Sequence, residues 1–452
     1  MIHSFLLNGY NIVVDVYSGA VHVLDDIAFA AVDYMQKYEE NQVLKLLSQE
    51  YNHEEAEEAL KEIKALTEEG LLFSQDPYGD YYKTNNQPNI VKALCLHMAH
   101  DCNLRCEYCF ASTGDFGGSR ALMPFEVAAK AIDLILAKSG NRKNLEVDFF
   151  GGEPLLNFGV IKKVMVYAGE REKEFGKNIR FTLTTNATIM SDEIKQFINE
   201  NIYNMVLSID GRQEVNDKVR YRVDKSGTYS EILPTIKDIA ESRNQTNYYV
   251  RGTFTRYNLD FAEDVIHLAD QGFKQISIEP VVAGEDKEYA LRNEDVETIC
   301  REYEKLAREY ITRHKEGKGF DFFHFEMDLS NGPCVAKRVK GCGAGDEYLA
   351  ITPEGDIYPC HQFAGNEDFR LGNVSDSSIN DDMRLDFRNT NIFTKEKCKE
   401  CWCKFYCSGG CTANAWQFNG DISVPYELGC VLQKKRVECA LMIKAVLYDI
   451  ML

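Results

Sequence analysis

The pattern of apolar and polar positions divides the chain into blocks, of which the first covers residues 1 to about 85. Two β-rich runs are interrupted by typical turn sequences, Asn8-Gly9 and Ser18-Gly19. Three helical patterns follow, and residues 71–74 (LLFS) predict one more short strand at the sheet edge. This order predicts a small winged-helix-like domain, which the polar residues 75–89 connect to the next block.

Residues 90–285 alternate between short apolar runs and amphipathic helical patterns. Strands that alternate with helices form parallel βαβ units, so we expect an α/β fold with a partial (β/α)6 barrel of the TIM type. In such sheets the binding site lies at the carboxyl ends of the strands. The predicted strands are 91–99, 145–152, 179–186, 205–210, 248–255 and 275–280.

The rest of the chain divides into three further parts. Residues 286–333 are charged and predict a helical bridging region, whereas residues 334–430 are rich in cysteine and glycine and show little periodicity. Residues 431–452 predict an amphipathic helix. A length of 452 residues exceeds what one ordinary core requires, so several domains are expected.

The net charge of −20 limits the classes of partner. Nucleic acids and anionic membranes both require a basic footprint, so a peptide or a small molecule is the better expectation. The first residues do not resemble a signal peptide, and no stretch approaches the roughly 18 apolar residues of a membrane span. We therefore expect a cytoplasmic protein, in which 15 cysteines indicate metal or redox chemistry rather than disulfides.

Three cysteines with the spacing C-x3-C-x2-C follow the first predicted barrel strand: Cys102, Cys106 and Cys109. Three thiolates on a short loop can hold three irons of a four-iron cluster and leave the fourth iron without a protein ligand. An open coordination position is typical of a catalytic metal rather than a structural one. The alternative is a structural zinc site completed by Cys95 or His100.

Polar and glycine-rich segments stand at the ends of the next three predicted strands. FFGGEP follows the second strand, TTNAT ends the third, SIDG ends the fourth, and DKVRYR follows shortly after. Because the carboxyl ends of parallel strands meet at one edge, these segments are expected to lie near the three-cysteine loop. The candidate residues are Gly151, Gly152, Glu153, Pro154, Thr185, Asn186, Ser208, Asp210 and Arg220.

A second group of cysteines occupies residues 334–430 with regular spacing. Cys342 is followed by twelve residues, Gly355, four residues and Cys360. Two, five, three and eighteen residues then separate successive members of the series Cys398, Cys401, Cys407, Cys411 and Cys430. Zinc ribbons are the alternative, since they also use closely spaced cysteine pairs.

The three-cysteine loop, with Tyr108 between its last two cysteines and Phe110 after them, resembles the radical S-adenosylmethionine (SAM) superfamily. The resemblance implies that the open iron chelates SAM, whose reductive cleavage gives a 5'-deoxyadenosyl radical that abstracts hydrogen. It places Glu153 at the SAM amino group and Arg220 at the SAM carboxylate. The other implied SAM contacts are Gly151, Gly152, Pro154, Thr185, Asn186, Ser208 and Asp210.

The later cysteines resemble the SPASM domain, a seven-cysteine extension that holds two auxiliary four-iron clusters. By this resemblance the outer cluster is held by Cys398, Cys401, Cys407 and Cys430. The inner cluster, nearer the barrel, is held by Cys342, Cys360 and Cys411, with Cys334 as candidate fourth ligand. Three 4Fe-4S clusters are then expected in all.

The role of Cys334 stays open, because its spacing to Cys342 is not part of the motif. If Cys334 does not bind, the inner cluster has an open iron that a substrate thiolate could take. Buried spare thiols are expected at the positions outside the pattern, Cys95, Cys300, Cys403 and Cys439.

The whole chain resembles peptide maturases, and its opening is most similar to those acting on six-cysteine-in-forty-five-residue (SCIFF) peptides. The resemblance implies a thioether crosslink between a cysteine sulfur and the α-carbon of an acceptor, commonly threonine, in a ribosomally synthesised precursor. It also implies that residues 1–85 bind the leader peptide, by addition of a strand to a sheet edge. An electron donor such as flavodoxin or ferredoxin is the other implied partner.

Other functions stay open on the sequence alone. A related maturase that activates anaerobic sulfatases or forms carbon-carbon crosslinks needs an acid/base residue rather than an open cluster iron. An iron-sulfur electron carrier or sensor does not need the SAM-contact segments. The alternative to leader binding is that residues 1–85 form a capping domain without a ligand.

Overall fold

The computed structural model describes residues 1–78, 90–327, 329, 338–376 and 379–447. The first domain is an antiparallel sheet of three strands in the order β1-β2-β3, followed by three helices. Asn8 and Gly9, with φ values of +52° and +85°, form the turn between the first two strands. The elements are β1 Ile2–Leu7, β2 Tyr10–Asp15, β3 Val21–Leu24, α1 Asp26–Met35, α2 Glu40–Glu50 and α3 His53–Glu68.

The segment after α3 contradicts one expectation, because residues 71–74 do not form a strand. The backbone N–H of Leu71 donates to the carbonyl of Leu66 and closes the end of the helix. The backbone N–H of Ser74 donates to the carboxylate of Asp15 at 2.9 Å. Side-chain bonds of this kind compete with strand pairing, so the segment is a loop.

The barrel strands predicted from the sequence are all confirmed. They are β4 Ala93–Ala99, β5 Asn144–Gly151, β6 Asn178–Thr185, β7 Asn204–Ser208, β8 Tyr248–Phe254 and β9 Gln275–Pro280. Each pairs in parallel with the next. The helices of this part are α4 Phe125–Lys138, α5 Phe158–Phe175, α6 Asp192–Asn201, α7 Gln213–Val219, α8 Tyr229–Ser242 and α9 Phe261–Asp270.

The cysteine-rich part is joined to the barrel by its sheet. Strand β11 pairs in parallel with β4, with Leu349 opposite Leu94, and continues into an antiparallel hairpin with β12. The described sheet therefore runs β10-β9-β8-β7-β6-β5-β4-β11-β12-β13. The new elements are α10 Val296–Lys315, β10 Asp321–Phe322, β11 Tyr348–Ile351, β12 Asp356–Tyr358, β13 Gly372–Asn373, α11 Asp381–Asn389, α12 Glu396–Lys399, α13 Lys404–Cys407, α14 Thr412–Asn419 and α15 Glu427–Val446.

Helix α15 begins at Glu427, before the position 431 that the pattern indicated, so Cys430 lies in its first turn. Helix α15 therefore carries a cysteine of the outer set and also packs in the large core beside α10. Residues 448–452 lie outside the described part of the chain.

The first domain packs on the rest of the protein through both its sheet and its loops. Val13 is buried against α1 to α3, whereas Ile12 and Val14 of the same strand belong to the large core that includes α10 and α15. The ring of His3 stacks on Trp402, with ring centroids 3.7 Å apart. Because Trp402 directly follows Cys401, the domain lies against the outer cysteine set.

In the part of the chain that the structure describes, no helix is both long and apolar enough to cross a membrane.

Candidate functional site

The three-cysteine loop leaves β4 and is anchored to residues 219–222. The N–H of Arg105 donates to the carbonyl of Tyr221 at 2.8 Å. The guanidinium of Arg105 donates back to the carbonyl of Cys102 at 2.6 Å. This pairing brings Arg220, distant in sequence, beside the loop.

The thiols of the loop are suited to a cationic ligand. Burial raises the pKa of Cys102 to about 11 and that of Cys106 to about 12. These sulfurs therefore ionise near neutral pH only when a metal binds them. The N–H of Leu104 and the side-chain amide of Asn186 already point at the Cys102 sulfur, at 3.4 and 3.7 Å. The donors fit an iron-sulfur cluster, whose sulfurs accept such bonds.

Gly151 and Gly152 allow the end of β5 to approach the same loop. Gly151 has a φ of +123°, a value that favours glycine. A Cβ on Gly152 would lie 2.1 Å from the carbonyl oxygen of Asp101, the residue before Cys102. A side chain at either position would displace the loop or the strand end.

Glu153 is fully buried, and its carboxylate accepts three hydrogen bonds. One oxygen accepts from the N–H of Leu155 at 3.0 Å and from the hydroxyl of Thr185 at 2.8 Å. The other accepts from the N–H of Asn186 at 2.8 Å. Burial raises the pKa of Glu153, and these bonds act against that rise. The carboxylate ties the end of β5, where Pro154 begins a short 3-10 helix, to the end of β6; contact with a SAM amino group stays a prediction.

Arg220, Tyr108 and Asp210 form a buried chain behind the loop. Arg220 donates to the Tyr108 hydroxyl at 2.9 Å, and that hydroxyl donates to the Asp210 carboxylate at 2.8 Å. Burial raises the pKa of Asp210 to about 6, although Arg220 and Tyr108 oppose the rise. Arg220 Nε is buried without a partner among the described residues, so a hydrogen-bond acceptor is needed there. Contact of this arginine with a SAM carboxylate stays a prediction.

Ser208 ends β7 opposite Arg251 of β8, at the same edge of the sheet as the other candidates. The structure thus gathers the ends of β5, β6 and β7 around the three-cysteine loop. Two residues that the sequence pattern did not single out complete this edge. Asn103 donates to the Thr188 hydroxyl at 2.7 Å and accepts from Asn186 at 2.9 Å. No spacing rule identifies such a pair.

The outer cysteine set lies around a cavity of about 220 Å³. Cysteines from α12, α13 and α15, and from the loop before α13, meet there although 32 positions of sequence separate the first from the last. The four predicted ligands that line the cavity are Cys398, Cys401, Cys407 and Cys430. Cys403, predicted to be a spare thiol, also lines it and is 1% exposed. Open space between four thiols is what a cluster requires.

The inner set follows the hairpin of β11 and β12. Gly355, with a φ of +88°, forms the hairpin turn and places Cys360 after β12. Cys342 and Cys411 lie close enough for their charges to raise the pKa of Cys360, although burial is the larger cause. Cys334 lies outside the described residues. Among those residues, no three His, Cys, Asp or Glu side chains are grouped as a single metal ion requires.

A cleft of about 630 Å³ opens beside the three-cysteine loop. Its lining includes Tyr108, Cys109 and Phe110, the stacked rings of Phe418 and Tyr426, and residues that follow β9. The cleft thus combines apolar and polar side chains, which suits a peptide.

Comparison with known proteins agrees with this geometry. Residues 96–269 match the Radical SAM superfamily, and residues 342–402 match SPASM, an iron-sulfur cluster-binding domain. An uncharacterised protein of Methanocaldococcus jannaschii is 30% identical over 294 residues, which are 64% of this chain and 90% of the relative. The chain belongs to the radical SAM superfamily. SAM and iron-sulfur clusters are therefore among the cofactors of this radical SAM enzyme.

Relatives of known activity share less of the sequence. The cysteine-type anaerobic sulfatase-maturating enzyme of Clostridium novyi is 25% identical, over 71% of this radical SAM chain and 87% of its own length. The solved structure of native anSMEcpe with bound AdoMet has a TM-score of 0.65 and 20% identity, over 79% of this chain and 99% of that one. SuiB of Streptococcus suis bound to precursor peptide SuiA has a TM-score of 0.54 and 18% identity, over 95% and 98%. At these identities both structures show the fold alone.

Gly152→Ala is expected to weaken SAM binding at least about tenfold, because the added Cβ must displace Asp101 and the three-cysteine loop. Gly159→Ala is the matched control, since its Cβ meets nothing within 4 Å at the exposed start of α5. Calorimetric titration of the reconstituted variants with SAM measures both affinities. Equal affinities for the two variants contradict the role of Gly152.

Proposed function

We propose that this radical SAM enzyme installs a thioether crosslink between a cysteine sulfur and an acceptor α-carbon, such as that of threonine, in a ribosomally synthesised precursor peptide. One observation carries the proposal. Phe110 follows Cys109 of the first site, His361 follows Cys360 of the inner set, and their ring centroids lie 5.5 Å apart. Phe150 of β5 contacts His361 at 5.0 Å in the same layer. A substrate sulfur held at the inner set is thus near the place where hydrogen is removed.

The reaction requires two cooperating sites. When bound at the first site, the cluster and SAM would supply a 5'-deoxyadenosyl radical that abstracts hydrogen from the acceptor carbon. Forming the sulfur-carbon bond removes one C–H bond, one S–H bond and two electrons from the peptide. The abstracted hydrogen atom carries one proton and one electron, the thiol proton is released to solvent, and clusters on the auxiliary cysteine sets would accept the second electron.

Three 4Fe-4S clusters are proposed, with two auxiliary clusters on the outer and inner sets. The inner set has three thiols among the described residues: Cys342, Cys360 and Cys411. Its fourth position belongs either to Cys334 or to the substrate cysteine, and in the first case the cluster serves only to accept the electron. Flavodoxin or ferredoxin is the proposed donor to the first site.

The peptide is proposed to lie in the cleft beside Phe110 and to extend toward the first domain. The names of two similar proteins support a polypeptide substrate: a sulfatase-maturating enzyme acts on a protein, and SuiB has been solved with a precursor peptide. The similarity to a sulfatase-maturating enzyme also supports a second candidate function, the oxidation of a single residue. Mass spectrometry of a modified precursor separates the two, since a thioether removes two hydrogens, keeps the sulfur and joins two residues in one fragment, whereas oxidation of a single residue joins none.

The first domain is proposed to bind the leader of the precursor at strand β3. This strand lies at the edge of the three-stranded sheet, and Val23 on it is 50% exposed. No backbone bond from another described segment covers this edge between residues 21 and 24. A free edge accepts an extended peptide as a further strand.

Val23→Lys is expected to weaken binding of the precursor about tenfold, because an edge lysine disfavours strand addition and removes apolar contact. Leu6→Lys is the control, since Leu6 is exposed on β1, at the opposite edge of the sheet. The probe is a fluorescently labelled synthetic cysteine-rich precursor peptide, and its binding is measured by anisotropy. Loss of binding in both variants, or in neither, contradicts the assignment to β3; SAM cleavage without peptide is unchanged in both.

A further inference from the structure

Lys395 is a buried lysine directly before α12 and is 2% exposed. Its ammonium donates one hydrogen bond, to the carbonyl of Gly409 at 2.9 Å. An ammonium has three donors, so two remain for other acceptors. A buried charge with so few partners is costly unless opposite charge lies nearby.

The carbonyl that Lys395 binds belongs to the segment between the two auxiliary sets. Residues 408–410 join Cys407 of the outer set to Cys411 of the inner set. All three residues have positive φ values, of +59°, +87° and +72°, so the segment turns tightly between the two cysteines. The ammonium is therefore held by the backbone segment that connects the two sets.

Thiols are the main charges that act on Lys395. Burial lowers the pKa of this lysine, and the thiols of Cys398, Cys407, Cys411 and Cys430, three of them from the outer set, act against that decrease. The exposed carboxylate of Asp421 also interacts electrostatically with the ammonium of Lys395. Once these thiols are ionised by bound iron, they supply the negative charge that the buried lysine lacks.

Other charges around the outer set are fewer or less buried. From α15, Lys434 acts on Cys398, Arg436 acts on Cys407, and Glu427 opposes them at Cys430. Lys404 is also nearly buried and lines the outer cavity, but its ammonium lies over the ring of Tyr17 and donates to the carbonyl of Lys399. Among the described residues, Lys395 is the one lysine that is both buried and bonded to the segment that joins the two sets.

We propose that the Lys395 ammonium is a fixed positive charge that raises the reduction potential of the outer auxiliary cluster. Reduction adds an electron to the cluster, and a buried cation nearby stabilises the more negative state. Gly409, whose carbonyl holds the ammonium, lines the cavity of the outer set, so the inner cluster is raised less. The outer cluster is then the more favourable electron acceptor of the two. The proposal rests on the proposed function only in requiring clusters at these cysteines.

The test compares midpoint potentials of auxiliary clusters by redox titration monitored by electron paramagnetic resonance. The full-length chain carries alanine at Cys102, Cys106 and Cys109, so that only the auxiliary clusters report. Lys395→Gln removes the charge and keeps a donor for Gly409, whereas Lys395→Arg keeps the charge. Lys397→Gln is the matched control, because Lys397 lines the same cavity but is 59% exposed and paired with Glu427.

Lys395→Gln is expected to shift one auxiliary midpoint clearly to more negative potential, while Lys395→Arg and Lys397→Gln stay near the parent protein. Equal shifts for Lys395→Gln and Lys397→Gln overturn the proposal. Loss of iron from both Lys395 variants also overturns it, since the lysine then has a folding role. The midpoint potentials do not depend on crosslinking. The effect of the Lys395 charge can therefore be measured even if the enzyme makes another product.

Discussion

Cys102→Ala is expected to abolish dithionite-dependent formation of 5'-deoxyadenosine from SAM. The three-cysteine loop has no spare thiol to replace Cys102, and the sulfur of this residue is the one that Leu104 and Asn186 face. Two remaining thiols cannot hold a cube with a single open iron. Chromatographic assay of the anaerobically reconstituted variant measures the loss.

Cys300→Ala is the matched control for this experiment. Cys300 lies half-buried on α10, outside every cysteine set, and its replacement is expected to leave SAM cleavage near the wild-type rate. Equal cleavage by Cys102→Ala and wild type contradicts the assignment of the first site. Equal loss in both variants points to general damage instead.

Cys401→Ala is expected to leave measurable SAM cleavage but to eliminate the crosslink. The outer cavity keeps three of its four predicted ligands, Cys398, Cys407 and Cys430, and the first site is untouched. Without an intact outer cluster the second electron of the reaction loses the more favourable of its two proposed acceptors. Mass spectrometry of the precursor, together with deoxyadenosine release, separates the two activities.

Cys403→Ala provides the control within the same cavity. Its thiol lines the cavity but lies off the predicted ligand pattern, so the crosslink is expected to survive. A variant of Cys401 that still crosslinks, or a Cys403 variant that does not, reverses the assignment of ligands. Loss of crosslinking in both variants with full iron content contradicts the separation of spare and binding thiols.

The barrel could be predicted from the sequence because each of its strands has a local signature. β6, for example, alternates buried Ile179, Phe181 and Leu183 with less buried residues, and helical patterns flank it. The failed strand at residues 71–74 has the same kind of local signature. This segment forms a loop instead, because Ser74 bonds to Asp15, which lies nearly sixty positions earlier in the chain. The pairing of β11 with β4 is equally non-local and has no signal in either segment.

The candidate site also combines features that have a local sequence signal with features that have none. Cysteines could be found because cluster ligands require a thiol at fixed spacing, and the structure gathers four of them around one cavity. Their supporting contacts could not be found in this way. The chain from Arg220 through Tyr108 to Asp210, and the contact of Phe110 with His361, join segments whose proximity only the fold determines.

Iron and sulfide analysis of anaerobically purified protein, with dithionite-dependent 5'-deoxyadenosine release, tests whether the cysteines hold three clusters and whether the first site cleaves SAM. We expect about twelve irons per chain together with deoxyadenosine. Zinc in place of iron, without deoxyadenosine, contradicts both assignments and makes the cysteine sites structural.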